Sequence, residues 1–173
     1  MPELIPVLKE EEIEESIASV ARQISSDYKG RPVVLVGVLK GAFIFLSDLA
    51  RRLSIPVQID FVRAASYGAG ATSSGKIELT KEIDVDITGK DVLVVEDIVD
   101  SGLTLAYLLD YLKKFKPETV RVCTLLDKHE RRQSQVKVDY ACHTIEKGFL
   151  VGYGLDYDEA YRELPAIYHL KFQ

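Results

Sequence analysis

The sequence predicts an α/β protein in which helices cover both faces of a central, mainly parallel β-sheet. Apolar, β-branched runs such as 33–38 and 91–95 are typical of strands buried on both faces, and amphipathic segments of helical length lie between several such runs. Because strands and helices that alternate in this way form βαβ units, we expect one sheet with its ligand site at the carboxyl ends of the strands.

Length, charge and cysteine content narrow the class of protein. The chain has 173 residues, which fits one domain over 1–173, and its net charge of −5 argues against nucleic acid or an anionic membrane as a partner. Its longest apolar run is far below the ~20 residues of a membrane span, and no secretory leader is visible, so we expect a cytoplasmic protein. Cys123 and Cys142 are expected to be free thiols buried in strands.

The first half of the chain predicts two helices and two strands. Apolar residues recur at helical spacing over 9–27, which predicts an amphipathic helix that ends before Pro32. The strand at 33–38 follows, then a helix over 42–53 and a strand over 57–62. The segment 64–75 is made mostly of Ala, Ser, Gly and Thr, so we expect it to be mobile.

A short strand is predicted at 76–79, and the glycines before it could suggest a nucleotide-binding loop. Gly70 and Gly75-Lys76 match most of a Walker A pattern, but Ile77 stands where Ser or Thr would have to reach magnesium. A Walker loop also opens a helix, whereas this one opens a strand. We therefore interpret the segment as a small-residue loop.

The second half alternates strands with one strong helix. The strand at 91–95 is followed by a helix over 102–116, whose leucines share one face and which Pro117 stops. Further strands are predicted at 120–126 and 138–145. The tail from Phe149 mixes short apolar pieces with Gly, Asp and Tyr and ends in a strand at 167–170.

The start of the helix over 102–116 has the features of a phosphate site. A helix N-terminus offers unpaired N–H groups and a partial positive charge. Gly102 lets the backbone approach an anion, while Ser101 and Thr104 add hydroxyl donors. The simpler interpretation, that Ser101 only caps the helix, stays open at this point.

Glu96 and Asp97 stand between the buried strand and this loop, where they would repel a phosphate unless they bind something else. Ionised carboxylates accept hydrogen bonds and do not donate them. The two hydroxyls of a ribose diol are suitable donors, so the acids and the loop together predict a ribose 5-phosphate site. The alternative is that both acids face solvent.

The segment 94–105, read Val-Val-Glu-Asp-Ile-Val-Asp-Ser-Gly-Leu-Thr-Leu, resembles the phosphoribosyl-diphosphate (PRPP) signature of the type I phosphoribosyltransferases, and more narrowly that of the bacterial hypoxanthine enzymes. The blocks at 39–41, 66–67, 125–128 and 149–162 follow in the order of that family. The resemblance implies the type I phosphoribosyltransferase fold: a mainly parallel central sheet with flanking helices, a small hood region and a flexible lid loop.

The implied reaction transfers ribose 5-phosphate from PRPP to hypoxanthine, guanine or both, with Mg²⁺, through an oxocarbenium-like transition state. Asp100 would be the catalytic acid–base that exchanges a proton with purine N7; its alternative role is a charge at the helix N-terminus. The residues implied to bind PRPP are Glu96, Asp97, Asp100, Ser101, Gly102, Leu103 and Thr104. Leu103 replaces a lysine found in some relatives, which leaves more of the binding to backbone N–H groups.

Lys128 would select the base, because an ammonium donates to a 6-oxo group and is mismatched to a 6-amino group. Without the resemblance it would be an ordinary surface lysine. Phe149 and Ile98 would cover the two faces of the purine, although both could be plain core. Backbone groups at Leu150 and Asp156 would bind the base edge, and Lys147 is a weaker candidate near the base or a phosphate.

The resemblance also implies a pyrophosphate site and a metal site. The pyrophosphate residues would be Leu39, Lys40, Gly41, Ser66, Tyr67 and Arg162, with a cis Leu39-Lys40 peptide that aims N–H groups at the ligand and a 64–75 lid that excludes water. The residues implied for Mg²⁺ are Glu96, Asp97 and Asp156.

Two other functions are open to a chain of this fold. One is a regulator that senses nucleotides without catalysis, against which the acidic charge and the presence of Asp100, Lys128 and Asp156 argue. The other is an enzyme for adenine, orotate or uracil, which Lys128 and the block at 149–162 disfavour. The resemblance implies a homodimer or homotetramer that acts on the small molecules PRPP, hypoxanthine and guanine.

Overall fold

The computed structural model describes residues 1–67 and 76–173, with three helices and nine strands in those ranges. The helices are α1 Glu10–Tyr28, α2 Phe43–Arg52 and α3 Leu103–Lys113. The strands are β1 Glu3–Leu8, β2 Val33–Val38, β3 Val57–Tyr67, β4 Lys76–Lys81, β5 Asp91–Val99, β6 Thr119–Lys128, β7 Tyr140–Ile145, β8 Leu150–Val151 and β9 Ile167–Lys171.

The main sheet has six strands in the order β4-β3-β2-β5-β6-β7. Every neighbouring pair is parallel except β3 with β4, which is antiparallel. In the centre of the sheet, Leu35 of β2 pairs with Ile59 on one side and with Leu93 on the other. The predicted α/β class with a mainly parallel sheet is therefore confirmed.

Helices pack on both faces of this sheet, as the βαβ pattern predicts. On one face, Ile17 of α1 and Phe45 of α2 join Leu35 and Leu93 in one apolar core. On the other face, α3 packs against the alternate side chains of the same strands, in a core formed by Val34, Val36, Val92, Val94, Leu105, Leu108 and Leu112. Because successive side chains of a strand point to opposite faces, one continuous apolar run serves both cores.

A second, antiparallel sheet of order β1-β9-β8 forms the small separate region that the family resemblance implies. Leu4 pairs with Leu170, and Leu150 pairs with His169. β9 is predicted from the sequence, whereas β1 and the two-residue strand β8 are not. The stretch 3–8 contains Pro6 and shows no clear alternation of apolar and polar residues, and its pairing partner lies at the other end of the chain, so no local pattern marks it as a strand.

The predicted ends of β5 and β3 differ from the structure at the edge of the sheet where the ligand site is expected. β5 continues through the acidic pair to Val99, because its pairing with β6 extends to Asp127. The region expected to be a loop from Ala64 is strand as far as Tyr67, since β3 pairs with β4 up to Lys76. Residues 68–75, which hold the rest of the predicted lid, lie outside the described residues.

Two further predictions concern the thiols and the membrane. Cys123 is buried, Cys142 is partly buried, and both are free, as predicted. Over 1–67 and 76–173, no helix is both long enough and apolar enough to cross a bilayer.

Candidate active site

A cleft of about 330 Å³ opens at the carboxyl ends of β2 and β5, where the topology places a ligand site. It brings together residues that are up to 124 positions apart in the sequence, from Val38 to Arg162. Its described lining includes Leu39, Lys40, Gly41, Ala64, Glu96, Asp97, Ile98, Asp100, Ser101, Gly102, Thr104, Asp156 and Arg162. Ser66, Leu103, Lys128, Phe149 and Leu150 are outside this lining, and of Tyr67 only the backbone, as the last residue of β3, is described.

The acidic pair forms the floor of the cleft. Asp97 Oδ1 accepts a hydrogen bond from the Ile98 N–H at 2.7 Å. Burial and the neighbouring Asp97 raise the pKa of Glu96 well above its usual range. Burial also raises the pKa of Asp97 to about 6, although the Arg162 guanidinium acts in the opposite direction. Two confined carboxylates of this kind favour hydroxyl donors or a cation beside them.

The phosphate loop has the backbone geometry that the sequence predicts. Gly102 adopts φ +82°, a left-handed conformation that favours glycine, directly before α3. Ser101 Oγ accepts a hydrogen bond from the Leu103 N–H at 3.3 Å, so capping is one of its roles. Ser101, Gly102 and Thr104 also line the cleft, and capping therefore does not exclude the predicted anion site.

Asp100 and Lys128 lie beside each other next to the cleft. Lys128 Nζ lies 3.8 Å from Asp100 Oδ2 and 3.8 Å from Glu130 Oε2. Its side chain is only 8% exposed, so the surface-lysine interpretation is wrong. Asp100 Oδ1 is enclosed and has no hydrogen-bond partner within the described parts of the chain. A buried ammonium beside a carboxylate whose other oxygen has no partner is poorly explained by folding alone and points to a ligand.

The predicted base-stacking residues have different environments. Ile98 lines the cleft and also packs against the core. Phe149 is 46% exposed, so it is not a core residue, and its ring lies 5.7 Å from that of Tyr157. Leu150 is buried in β8, which leaves its backbone rather than its side chain for any contact with a base. The exposed Phe149 ring is free to stack on a flat ligand.

The backbone at Gly41 is closely approached by the Asp97 side chain and by the backbone at Gly154. The Leu39-Lys40 peptide is cis, which confirms the prediction. A Cβ added to Gly41 would lie 1.9 Å from Asp97 Oδ2, and one added to Gly154 would lie 2.1 Å from the Gly41 carbonyl oxygen. Neither position has room for any side chain.

Lys40 and Arg162, the two cations predicted to bind pyrophosphate, both pair with the Glu159 carboxylate, which was not among the predicted site residues. Glu159 Oε2 accepts from Lys40 Nζ at 3.0 Å, and Glu159 Oε1 accepts from an Arg162 terminal nitrogen at 3.1 Å. These two cations hold the pKa of Glu159 below its usual range. The Glu159 N–H in turn donates to Asp156 Oδ2 at 2.9 Å.

The assignment of Mg²⁺ to Glu96, Asp97 and Asp156 stays a prediction. Within the described ranges, no three or more of the Asp, Glu, His and Cys side chains converge in a way that could hold a metal ion. Glu96, Asp97 and Asp156 therefore do not form a closed metal centre. Asp156 lines the cleft and is close enough to Asp97 to raise its pKa. One or two carboxylates in a wet cleft suit Mg²⁺, which keeps waters and takes further oxygens from a substrate phosphate.

Comparison with known proteins assigns the chain to a family. Residues 7–158 match the family model described as phosphoribosyl transferase domain. The match covers most of the chain, which therefore belongs to the phosphoribosyl transferase family. The predicted type I fold is confirmed.

Within that family, the chain is similar over most of its length to hypoxanthine-guanine phosphoribosyltransferases. It is 46% identical to one from Aquifex aeolicus over 163 residues, which are 94% of this chain and 92% of the relative. A crystal structure of one from Bacillus anthracis, with HEPES in its active site, is 46% identical with a TM-score of 0.90 and covers 95% of this chain and 96% of that one.

One relative is much longer than this chain. The chain is 44% identical over 165 residues to the bifunctional protein TilS/HprT of Listeria monocytogenes serotype 4b. That match covers 95% of this chain but only 26% of the relative, so the chain spans about a quarter of that protein's length.

Proposed function

We propose that the chain transfers ribose 5-phosphate from PRPP to hypoxanthine, guanine or both, giving IMP or GMP and pyrophosphate. The observation that carries this proposal is the convergence of the acidic pair, the residues at the start of α3 and Asp100 at one cleft, with the Lys128 ammonium 3.8 Å from Asp100. The identity to hypoxanthine-guanine phosphoribosyltransferases over nearly the whole chain supports it.

The ribose 5-phosphate half of the site rests on β5 and α3. The backbone N–H groups at the start of α3 and the hydroxyls of Ser101 and Thr104 would hold the phosphate. Glu96 and Asp97 would accept hydrogen bonds from the ribose hydroxyls. Burial raises the pKa of both carboxyl groups because it disfavours their ionised forms. Hydrogen bonds from the ribose hydroxyls would stabilise those ionised forms.

The purine half lies toward Lys128. The Lys128 ammonium would donate to the 6-oxo oxygen, and Asp100 would exchange a proton with the purine N7 as the base enters. Ile98 and Phe149 would cover the two faces of the ring. In the step itself, the bond between the anomeric carbon and the pyrophosphate oxygen breaks, and a bond from that carbon to a purine nitrogen forms.

Lys40 and Arg162 would bind pyrophosphate. The pyrophosphate oxygens would also serve as ligands of the metal ion. Mg²⁺ would be held by Asp156 together with substrate oxygens, with Glu96 and Asp97 reaching it through ribose hydroxyls or water. When bound, the ion supplies positive charge to the leaving pyrophosphate. Ser66 and Tyr67 at the end of β3 remain proposed pyrophosphate contacts, and the proposed 64–75 lid still requires a test.

A product assay tests the function directly. The protein is incubated with PRPP, Mg²⁺ and, separately, hypoxanthine, guanine, xanthine or adenine, and nucleotide formation is followed by chromatography. We expect IMP, GMP or both, and no AMP because Lys128 has no acceptor opposite a 6-amino group. Absence of both IMP and GMP would contradict the proposal, and formation of AMP would favour an enzyme for adenine.

Other properties of the protein stay proposals. The similarities reported above give no support to a nucleotide-sensing regulator. A single domain over 1–173, a cytoplasmic location and a homodimer or homotetramer remain predictions from the sequence and its resemblance. The relation to the bifunctional Listeria protein leaves the partners of a longer chain to be determined.

The substitution Gly41→Ala is expected to weaken PRPP binding. The added methyl would lie 1.9 Å from Asp97 Oδ2, so the carboxylate must move away from the ribose position. We expect the KM for PRPP to rise about tenfold, the factor that corresponds to one lost hydrogen bond to a charged group. Gly30→Ala is the control for a strained glycine-to-alanine change outside the cleft: a methyl there meets nothing within 4 Å, but the φ of +79° disfavours it, so stability should fall while the KM stays unchanged. An unchanged KM in Gly41→Ala would show that Asp97 does not hold the ribose.

The substitution Glu159→Gln is expected to tighten pyrophosphate binding. In the unliganded protein Glu159 pairs with both Lys40 and Arg162, so an incoming pyrophosphate must replace one anion by another. Since the pairs are exposed, the gain is modest, and we expect the Kd of pyrophosphate from calorimetry to fall about threefold. Asp158→Asn, at the exposed neighbouring residue, is the control. Weaker binding in Glu159→Gln would mean that Glu159 belongs to the liganded site.

A further inference from the structure

Arg132 connects the two strand ends that carry the purine half of the site. Its Nε donates to the Asp100 carbonyl oxygen at 3.0 Å. One terminal nitrogen donates to the carbonyl oxygens of Val99 at 3.2 Å and Lys128 at 3.1 Å, and also to the Asp127 carboxylate. The side chain is 18% exposed. One guanidinium therefore holds both the end of β5 and the end of β6.

The Arg132 hydrogen bonds lie at the point where the pairing of β5 with β6 ends. The β5–β6 register ends at the pair Val99 and Asp127. Asp100 follows the last residue of β5, and Lys128 is the last residue of β6, where it pairs with Ile145 of β7. The β5–β6 register therefore does not extend to Asp100 and Lys128. The Arg132 hydrogen bonds to the main chain of both residues lie at this point, where their side chains come within 3.8 Å of each other.

The segment that follows Arg132 continues the same contact. The N–H groups of Gln133 and Ser134 both donate to the Ser101 carbonyl oxygen, at 2.8 and 3.1 Å. Residues 132–134 thus support the backbone of the phosphate loop from Val99 to Ser101. Arg132 also hydrogen-bonds β6, through the Asp127 carboxylate and the Lys128 carbonyl oxygen, and so links the loop to the strand.

A guanidinium suits this task better than an ammonium does. It is planar, rigid and carries five N–H donors, so it can serve oxygens on two chain segments at once. Asp127 compensates the charge in this partly buried place. A lysine could keep the pairing with Asp127 but would not reproduce the fixed directions of the other bonds.

We propose that Arg132 is a positioning residue that sets the spacing between Asp100 and Lys128, and so aligns the proton-exchanging carboxylate with the ammonium that binds the 6-oxo group. This inference rests on the proposed function. A role in folding alone is the competing explanation. The two differ because a positioning role affects recognition of the base more than recognition of the ribose 5-phosphate.

Calorimetry with two ligands tests this difference. IMP carries the base, whereas ribose 5-phosphate lacks it, and neither requires turnover. For Arg132→Lys and Arg132→Gln we expect the Kd of IMP to rise about tenfold, and that of ribose 5-phosphate by less than about threefold, with a lower kcat for hypoxanthine. Arg131→Lys and Arg131→Gln, at the exposed neighbouring arginine, are matched controls that should leave both constants unchanged.

Each other outcome has a defined meaning. Equal losses for both ligands, or wild-type constants in Arg132→Lys, would overturn the positioning role. If both Arg132 variants unfold, Asp127→Asn is measured instead, because it removes the charged anchor of the guanidinium. The same selective loss of IMP binding supports the proposal, and its absence contradicts it. A wild-type protein that binds neither IMP nor ribose 5-phosphate would contradict the proposed function itself, before any variant is compared.

Discussion

Replacing Asp100 with alanine is expected to abolish most of the turnover while leaving PRPP binding nearly intact. Asp100 Oδ1 is enclosed and unpaired within the described structure, and Oδ2 lies 3.8 Å from Lys128 Nζ. The side chain as a whole lines the cleft and is 39% exposed, so the carboxyl group can exchange a proton with an incoming purine. Loss of an acid–base residue costs about 10²–10⁴ in rate, and we expect kcat for IMP formation to fall within that range.

Initial-rate kinetics together with PRPP binding measured by calorimetry check this result. Asp110→Ala, at an exposed position of α3, is the control for removing a carboxylate from the same region. Unchanged turnover in Asp100→Ala would show that Asp100 is only a charge at the helix N-terminus. A parallel loss of PRPP binding would place Asp100 in the phosphate site rather than at the base.

The second large effect is expected for Lys128→Met. Methionine keeps much of the length of the buried side chain but removes the donor to the 6-oxo group. A hydrogen bond to a charged group contributes about 1.5–3 kcal/mol, so kcat/KM for hypoxanthine and guanine should fall about 10–100-fold. Because the mismatch to a 6-amino group also disappears, the preference over adenine should shrink by a similar factor.

The matched control for Lys128 is Lys137→Met, which removes a lysine whose side chain is 87% exposed. Rates with hypoxanthine, guanine and adenine are compared in both variants, and thermal unfolding reports whether the buried substitution alters stability. Retained discrimination between hypoxanthine and adenine in Lys128→Met would mean that another group recognises the 6-position. Lys147, which is exposed beside β8, would then be examined next.

The parts of the site that are local in sequence could be predicted from the residues. The apolar run, the acidic pair and the loop at the start of α3 follow one another within 92–104, and each has a direct physical interpretation. The roles of Lys128 and of the cis Leu39-Lys40 peptide came from the family resemblance. The structure adds that Lys128 is buried and that the peptide is cis.

The parts that depend on distant contacts could not be predicted in this way. β1 is a strand only because β9 pairs with it. Arg132 lies in a polar stretch beside another arginine, and nothing in that stretch indicates which of the two is enclosed. Glu159 is one of several acids near the end of the chain, and only the fold places it between Lys40 and Arg162. Close approaches such as Gly154 to Gly41 likewise arise from packing.

A crystal structure with IMP tests the central claim, that β5 and the start of α3 hold a ribose 5-phosphate. We predict the phosphate at the N–H groups of 101–104, the ribose hydroxyls within hydrogen-bond distance of Glu96 and Asp97, and the 6-oxo oxygen beside Lys128 Nζ. IMP bound in the reverse direction, or outside this cleft, would contradict the account.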